Sequence, residues 1–236
     1  MKKPTNQSEI LRKMLASPGV VFFAAATLLF SSELIGTVLA SLAGKSGDDV
    51  TALFIVISTA LALVLLSIFV VFKVVGGSWA AIGYVKPRRP WVKSWLVSVI
   101  VYILISSSLV ALATWLLPQF NANQAQDVGL NGVYSPAMKV LGFISLVIIT
   151  PIFEETIFRG ILFKGLRRSI TFYPALVLVS LLFALAHGQW NVAIDTFALG
   201  LLLGYLTEKT GSIVPSILLH ATKNMAAFLI LFVFIK

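Results

Sequence analysis

The sequence predicts an all-α integral membrane protein, a polytopic bundle of transmembrane helices. Three observations predict it. First, the 236 residues are 58% hydrophobic and 11% charged, with mean hydropathy +0.98, against about 45–50% apolar and about 25% charged for a soluble domain. Second, the apolar residues gather into runs near the length of about 20 residues that crosses a bilayer. Third, the basic residues behind the formal charge of +9 sit in short segments between those runs. That placement argues against a nucleic-acid partner and for a lipid bilayer. With no Cys, a disulfide framework and a thiolate site are excluded.

Residues 1–19 read as a basic tail and 20–236 as one membrane domain. The run 20–42 is longer than the about 7–15 residues of a signal-peptide core, although Ser41 and Ala43 mimic a cleavage site, so it reads as a retained span. Further helices are expected at 50–72, 95–117, from about 137 through the stretch around Glu154, then 172–187, 192–206 and 213–235. Together they make about seven to eight spans. The 172–187 and 192–206 helices look short for a bilayer. Gly-Gly, Lys-Pro and Arg-Pro pairs mark a loop over 76–90, with a short interfacial helix around 79–84. The Asn- and Gln-rich stretch 118–136 reads as a loop on the opposite side.

Orientation follows from the basic residues. Lys2, Lys3, Arg12 and Lys13 precede the first run. Lys73, Lys86, Arg88, Arg89 and Lys93 lie between the second and third, Lys164, Arg167 and Arg168 follow the Glu-Glu stretch, and Lys209 precedes the last run. All fall on one side, so the N-terminus is expected in the cytoplasm of a multi-pass cell-membrane protein.

The chain is organised around Pro151-Ile152-Phe153-Glu154-Glu155-Thr156-Ile157-Phe158-Arg159-Gly160. Ionisable groups in an apolar run are costly and face a protein interior or a wet cavity. On a helix Glu155 and Arg159 share a face, and Glu154 is rotated roughly 100° away. One carboxylate is therefore placed to be held by arginine and the other is free for chemistry. A structural ion pair with a spare charge is the plainer reading of this stretch alone.

The two histidines of the chain, His187 and His220, also lie in apolar helical runs. Phe183 shares a face with His187, and His220 with Asn224. At about 1.5 Å per residue, Glu154 lies roughly 15 Å from Lys164, His220 roughly 12 Å and Asn224 roughly 18 Å from Ser212, and His187 roughly 22 Å from Phe172. These groups can meet at mid-depth in one polar pocket. Such a pocket suits peptide hydrolysis: Glu154 as general base on a water that His187 helps to hold, and His220 with Asn224 as donors to the oxyanion. Glu155 would be locked by Arg159. The residues leave a second mechanism open, in which Glu154, His187 and His220 ligate zinc and leave one position for water. No His-Glu-x-x-His pair compels it.

Glu33, in the first run, is a candidate partner for Lys223, and Asp195 is a second isolated intramembrane acid. Gly200 and Gly204 predict close helix packing, and Ser106-Ser107-Ser108 packing as well.

Glu154-Glu155-x-x-x-Arg159, Phe183-x-x-x-His187 and His220-x-x-x-Asn224 together resemble the three motifs of the type II CAAX prenyl protease and bacteriocin-processing family of intramembrane proteases. Thr210-Gly211-Ser212-Ile213 and the Gly200/Gly204 helix are similar too. The resemblance covers roughly 140–228 and marks about 137–236 as a protease-like core. It implies an intramembrane endopeptidase in which Glu154 and His187 activate water, His220 and Asn224 form the oxyanion hole, and Glu155 and Arg159 are structural partners. It implies a membrane-associated peptide or protein tail as substrate, lipidated or not. On metal dependence it is divided between a glutamate-type and a metal-dependent enzyme. It also admits a catalytically silent regulator or immunity protein. A third reading, from the residues alone, is an ion or solute transporter using Glu33, Asp195 and the Glu pair as a relay.

Overall fold

The computed structural model describes residues 79–121 and 136–234. The chain divides into two compact units, Met1–Ala81 and Ile82–Lys236. The expected tail at 1–19, the spans at 20–42 and 50–72 and Glu33 lie outside the described residues, as does most of the 118–136 loop. Among the described residues every regular element is helical and there is no strand. Two helical stretches, Trp91–Leu116 and Val214–Val233, are long and apolar enough to cross a membrane.

Helix α1, Trp91–Leu116, begins directly after Pro90, earlier than the hydropathy suggested. Its apolar residues point the wrong way for a soluble protein. Leu96, Val97, Ile100, Ile103, Leu104 and Trp115 are exposed, while Ser94 and Ser98 are buried. The polar stripe continues along the same face, at i, i+4 spacing, to Tyr102 and Ser106. Small and polar residues inward with large apolar residues outward is the pattern of a helix that meets lipid.

A continuous helical rod follows: α2, Pro136–Phe143; a widened π-helical stretch, Ile144–Ile149; α3, Thr150–Glu155; a second widened stretch, Thr156–Phe163; and α4, Lys164–Leu166. The first widening is explained by Pro151, which lacks an N–H. The Thr150 N–H bonds the carbonyl of Ser145, five residues back. In that register the next carbonyl, Leu146, would need the N–H of Pro151 and cannot have it.

Helix α5, Phe172–Leu185, packs on α6, Trp190–Thr210. The contact uses both glycines: a Cβ at Gly200 would lie 3.0 Å from the Cα of Ser180, and one at Gly204 would collide with Leu176. The close packing expected of the pair is therefore observed. Helix α6 has 21 residues, not the short span expected. Loss of hydropathy after Leu206 suggested an end, but the chain stays helical through polar Thr207–Thr210. It stops at Gly211, whose φ of 71° makes the left-handed cap. Helix α7, Val214–Leu229, completes the unit and runs on into a widened turn, Ile230–Phe234.

The interfacial helix expected around 79–84 is absent; 79–83 is a run of turns, with Gly83 at φ 99°. From Ile82 the chain crosses the unit as a strap. The Ile213 N–H donates to the Gly83 carbonyl at 3.0 Å, the Arg88 N–H to the Thr210 carbonyl at 2.9 Å, and the Ser212 hydroxyl to the Val85 carbonyl at 2.7 Å. The strap reaches the rod as well, where Gly160 lets the Ile82 carbonyl in; a Cβ there would lie 2.7 Å from that oxygen.

Candidate active site

The site forms where the middle of the rod meets α5, α6 and α7. Glu155 and Arg159 are one turn apart and both buried; Arg159 Nη1 donates to Glu155 Oε1 at 3.0 Å. Arg159 Nη2 also donates to the Gly200 carbonyl at 3.2 Å, which the missing side chain at Gly200 leaves approachable. The guanidinium stacks 4.4 Å from the ring centroid of Phe183. An arginine taken out of water needs this density of partners.

Glu155 has a further partner that sequence reasoning did not foresee. His220 Nδ1 donates to the same Oε1 at 3.0 Å. This fixes the ring, so Nε2 faces Glu154 with Oε2 at 3.8 Å. That separation is beyond a hydrogen bond and within reach of one bridging water. Glu154 Oε2 is buried and makes no hydrogen bond within the protein. The rotation between adjacent helix positions separates the two carboxylates: Glu155 is tied down through Oε1, although its Oε2, like Glu154 Oε2, is buried without a hydrogen bond within the protein.

Phe183 is the hub of the pocket. Its ring meets those of His187 at 4.9 Å, His220 at 5.7 Å and Phe158 at 5.0 Å, all edge to face. His187 Nδ1 donates to the Phe183 carbonyl at 2.8 Å, one turn back. That bond assigns the proton to Nδ1 and leaves the Nε2 lone pair available. Asn224 Nδ2 donates to the Leu146 carbonyl at 2.9 Å, the group orphaned by Pro151. One amide hydrogen of Asn224 is therefore engaged and the other remains for a ligand. The sequence signal for this contact was Pro151 itself.

Of the zinc set read from the sequence, Glu154 and His220 stand together, Oε2 to Nε2 at 3.8 Å. Among the described residues no group of three or more His, Asp and Glu side chains is gathered for a metal ion.

Residues 136–226 match the family model described as type II CAAX prenyl endopeptidase Rce1-like. The matched stretch, less than half of the chain, contains Glu154, Glu155, Arg159, Phe183, His187, His220 and Asn224, and leaves α1 and the strap outside. A relative described as an uncharacterized 24.3 kDa protein of Escherichia coli is 30% identical over 86 residues, covering 34% of this chain and 40% of that protein. The match thus spans well under half of that relative. No solved structure matches the chain.

A second polar cluster gathers around Asp195. The Tyr102 hydroxyl donates to Asp195 Oδ1 at 2.7 Å and the Ser106 hydroxyl donates to the same oxygen. Lys223 Nζ stands 3.7 Å from Oδ2. One carboxylate on α6 therefore links α1 and α7. Sequence reasoning had noticed Asp195, Ser106 and Lys223 separately and did not join them, because no spacing rule connects residues on three helices.

Proposed function

We propose that the protein is an intramembrane endopeptidase that hydrolyses a peptide bond in a membrane-associated peptide or protein tail. The observation that carries this reading is the buried, hydrogen-bond-free Glu154 Oε2 standing 3.8 Å from His220 Nε2. A carboxylate oxygen that no protein group engages is free to accept a proton from a water beside it.

In this mechanism Glu154 removes a proton from water as the oxygen adds to the scissile carbonyl carbon. His187 holds that water through its Nε2 lone pair. The second amide hydrogen of Asn224 donates to the oxyanion. His220 Nε2 faces the same space and can join it when the ring carries both protons, its other N–H being given to Glu155. The proton on Glu154 then passes to the leaving amine. Donors aimed at developing charge in a site poor in water are worth several kcal/mol each. Glu155, Arg159 and Phe183 hold the two rings in place. The chain is proposed to cross the cell membrane about seven to eight times, with the N-terminus in the cytoplasm.

Purified full-length protein in detergent, incubated with a tagged peptide library with and without prenyl groups, tests the reading by mass spectrometry of the products. Defined fragments from wild type and none from Glu154→Gln are expected. Binding of a peptide without any cleavage would make the protein a regulator instead, and gradient-driven ion flux in vesicles would make it a transporter.

A further inference from the structure

The strap brings basic residues from two distant segments to one end of the unit. Lys164, at the end of the rod, packs its ammonium against Gly83: a Cβ on that glycine would lie 2.9 Å from Nζ and 2.9 Å from Ile213 Cγ2. The positive φ of Gly83 thus shapes a recess that this ammonium fills. Two residues before Ile213, Gly211 supports the Arg88 guanidinium; a Cβ there would lie 3.2 Å from Arg88 Nε. Arg168 lies four residues beyond Lys164; burial, and then the Arg168 charge, hold the Lys164 pKa below the ordinary lysine range, with Glu208 opposing them in part.

Among the described residues these cations outnumber the carboxylates beside them, with Glu208 acting on Lys164 from a distance. Glu208 is the one carboxylate at this end among the described residues, and it is engaged by Arg167 through Nη2 at 2.8 Å and Nε at 3.3 Å. Lys164 makes no hydrogen bond among the described residues, yet it is half-buried. Holding a half-buried ammonium beside a guanidinium costs free energy unless an anion arrives.

We propose that Lys164, Arg168 and Arg88 form a binding site for a phosphate group, carried by an anionic phospholipid or present as free phosphate. An ammonium supplies a point charge, and the two guanidinium groups supply planar forks that match phosphate oxygens. The site lies at the end of helices that meet lipid, where a headgroup is at hand. It stands independently of the hydrolytic reading.

The test uses full-length protein in a neutral detergent, titrated with dihexanoyl-phosphatidylglycerol, with inorganic phosphate, or with dihexanoylglycerol, which lacks the phosphate. Thermal melting and native mass spectrometry report binding. A saturable rise in melting temperature with the phospholipid is expected, with the half-saturating concentration raised about tenfold by Lys164→Gln and preserved by Lys164→Arg. Saturation by inorganic phosphate would identify the free anion as a ligand; saturation by the phospholipid alone identifies the headgroup. If Lys164→Gln melts below wild type without ligand, Arg88→Gln carries the comparison. An equal response to dihexanoylglycerol, equal half-saturation in wild type and variant, or no saturable response to any probe overturns the proposal.

Discussion

His220 Nδ1 donates a hydrogen bond to Glu155 Oε1 across 3.0 Å, so the second glutamate of the pair holds His220 as well as Arg159. The same oxygen receives Arg159 Nη1 at 3.0 Å. Glu155 therefore joins the rod to α7, and its position sets which way His220 Nε2 faces.

Glu154→Gln is expected to lower the rate of peptide hydrolysis by about 10²–10⁴-fold, the usual contribution of a general base, with the melting temperature within a few degrees of wild type. Glutamine keeps the shape and loses the basic oxygen. Chelator should leave the wild-type rate unchanged. A rate that falls with chelator and returns with zinc would replace the water-activation mechanism with a metal-dependent one.

Arg159→Ala leaves the buried Glu155 carboxylate without its cation and is expected to destabilise the protein by about 3–5 kcal/mol. Adding Glu155→Ala removes the orphaned charge and restores part of this. The restoration stops short, because His220 Nδ1 then loses its acceptor at a cost of about 1–3 kcal/mol. Denaturation of the two single variants and the double variant measures the coupling. Full recovery in the double variant would mean that the bond to His220 contributes nothing.

Gly160→Ala should be worse tolerated than Gly204→Ala. The Gly160 Cβ would meet the backbone carbonyl of Ile82 at 2.7 Å, which cannot move without shifting the strap. The Gly204 Cβ would meet only the tip of Leu176, which can change rotamer. A cost of about 1–3 kcal/mol is expected for Gly160→Ala and less for Gly204→Ala. Thermal melts of the pair decide it, and the reverse order would mean that the strap is not held against the rod.

A reporter fused after Arg168 is expected to read cytoplasmic, and one inserted at Gln124 to read outside. The inverse pattern would turn the basic end, with its cluster around Lys164, away from the cytoplasm.

The sequence by itself determined the helical class of the described region, the i, i+4 pairing of Glu155 with Arg159 and the close packing at Gly200 and Gly204. These follow from composition and from the 3.6-residue period, which are local properties. It also turned the Glu154 and Glu155 side chains apart in space, since adjacent helix positions point in different directions. Only the tertiary structure decided which partners meet across helices. Asn224 reaches Leu146 because Pro151 has no N–H to give that carbonyl. His220 reaches Glu155 because α7 lies against the rod, and Asp195 gathers Tyr102, Ser106 and Lys223 from α1 and α7. The strap is the sharpest instance: 79–84 has a helical local pattern, but the segment turns at Gly83, whose φ is 99°, and the Gly83 carbonyl accepts the Ile213 N–H from more than a hundred residues along the chain.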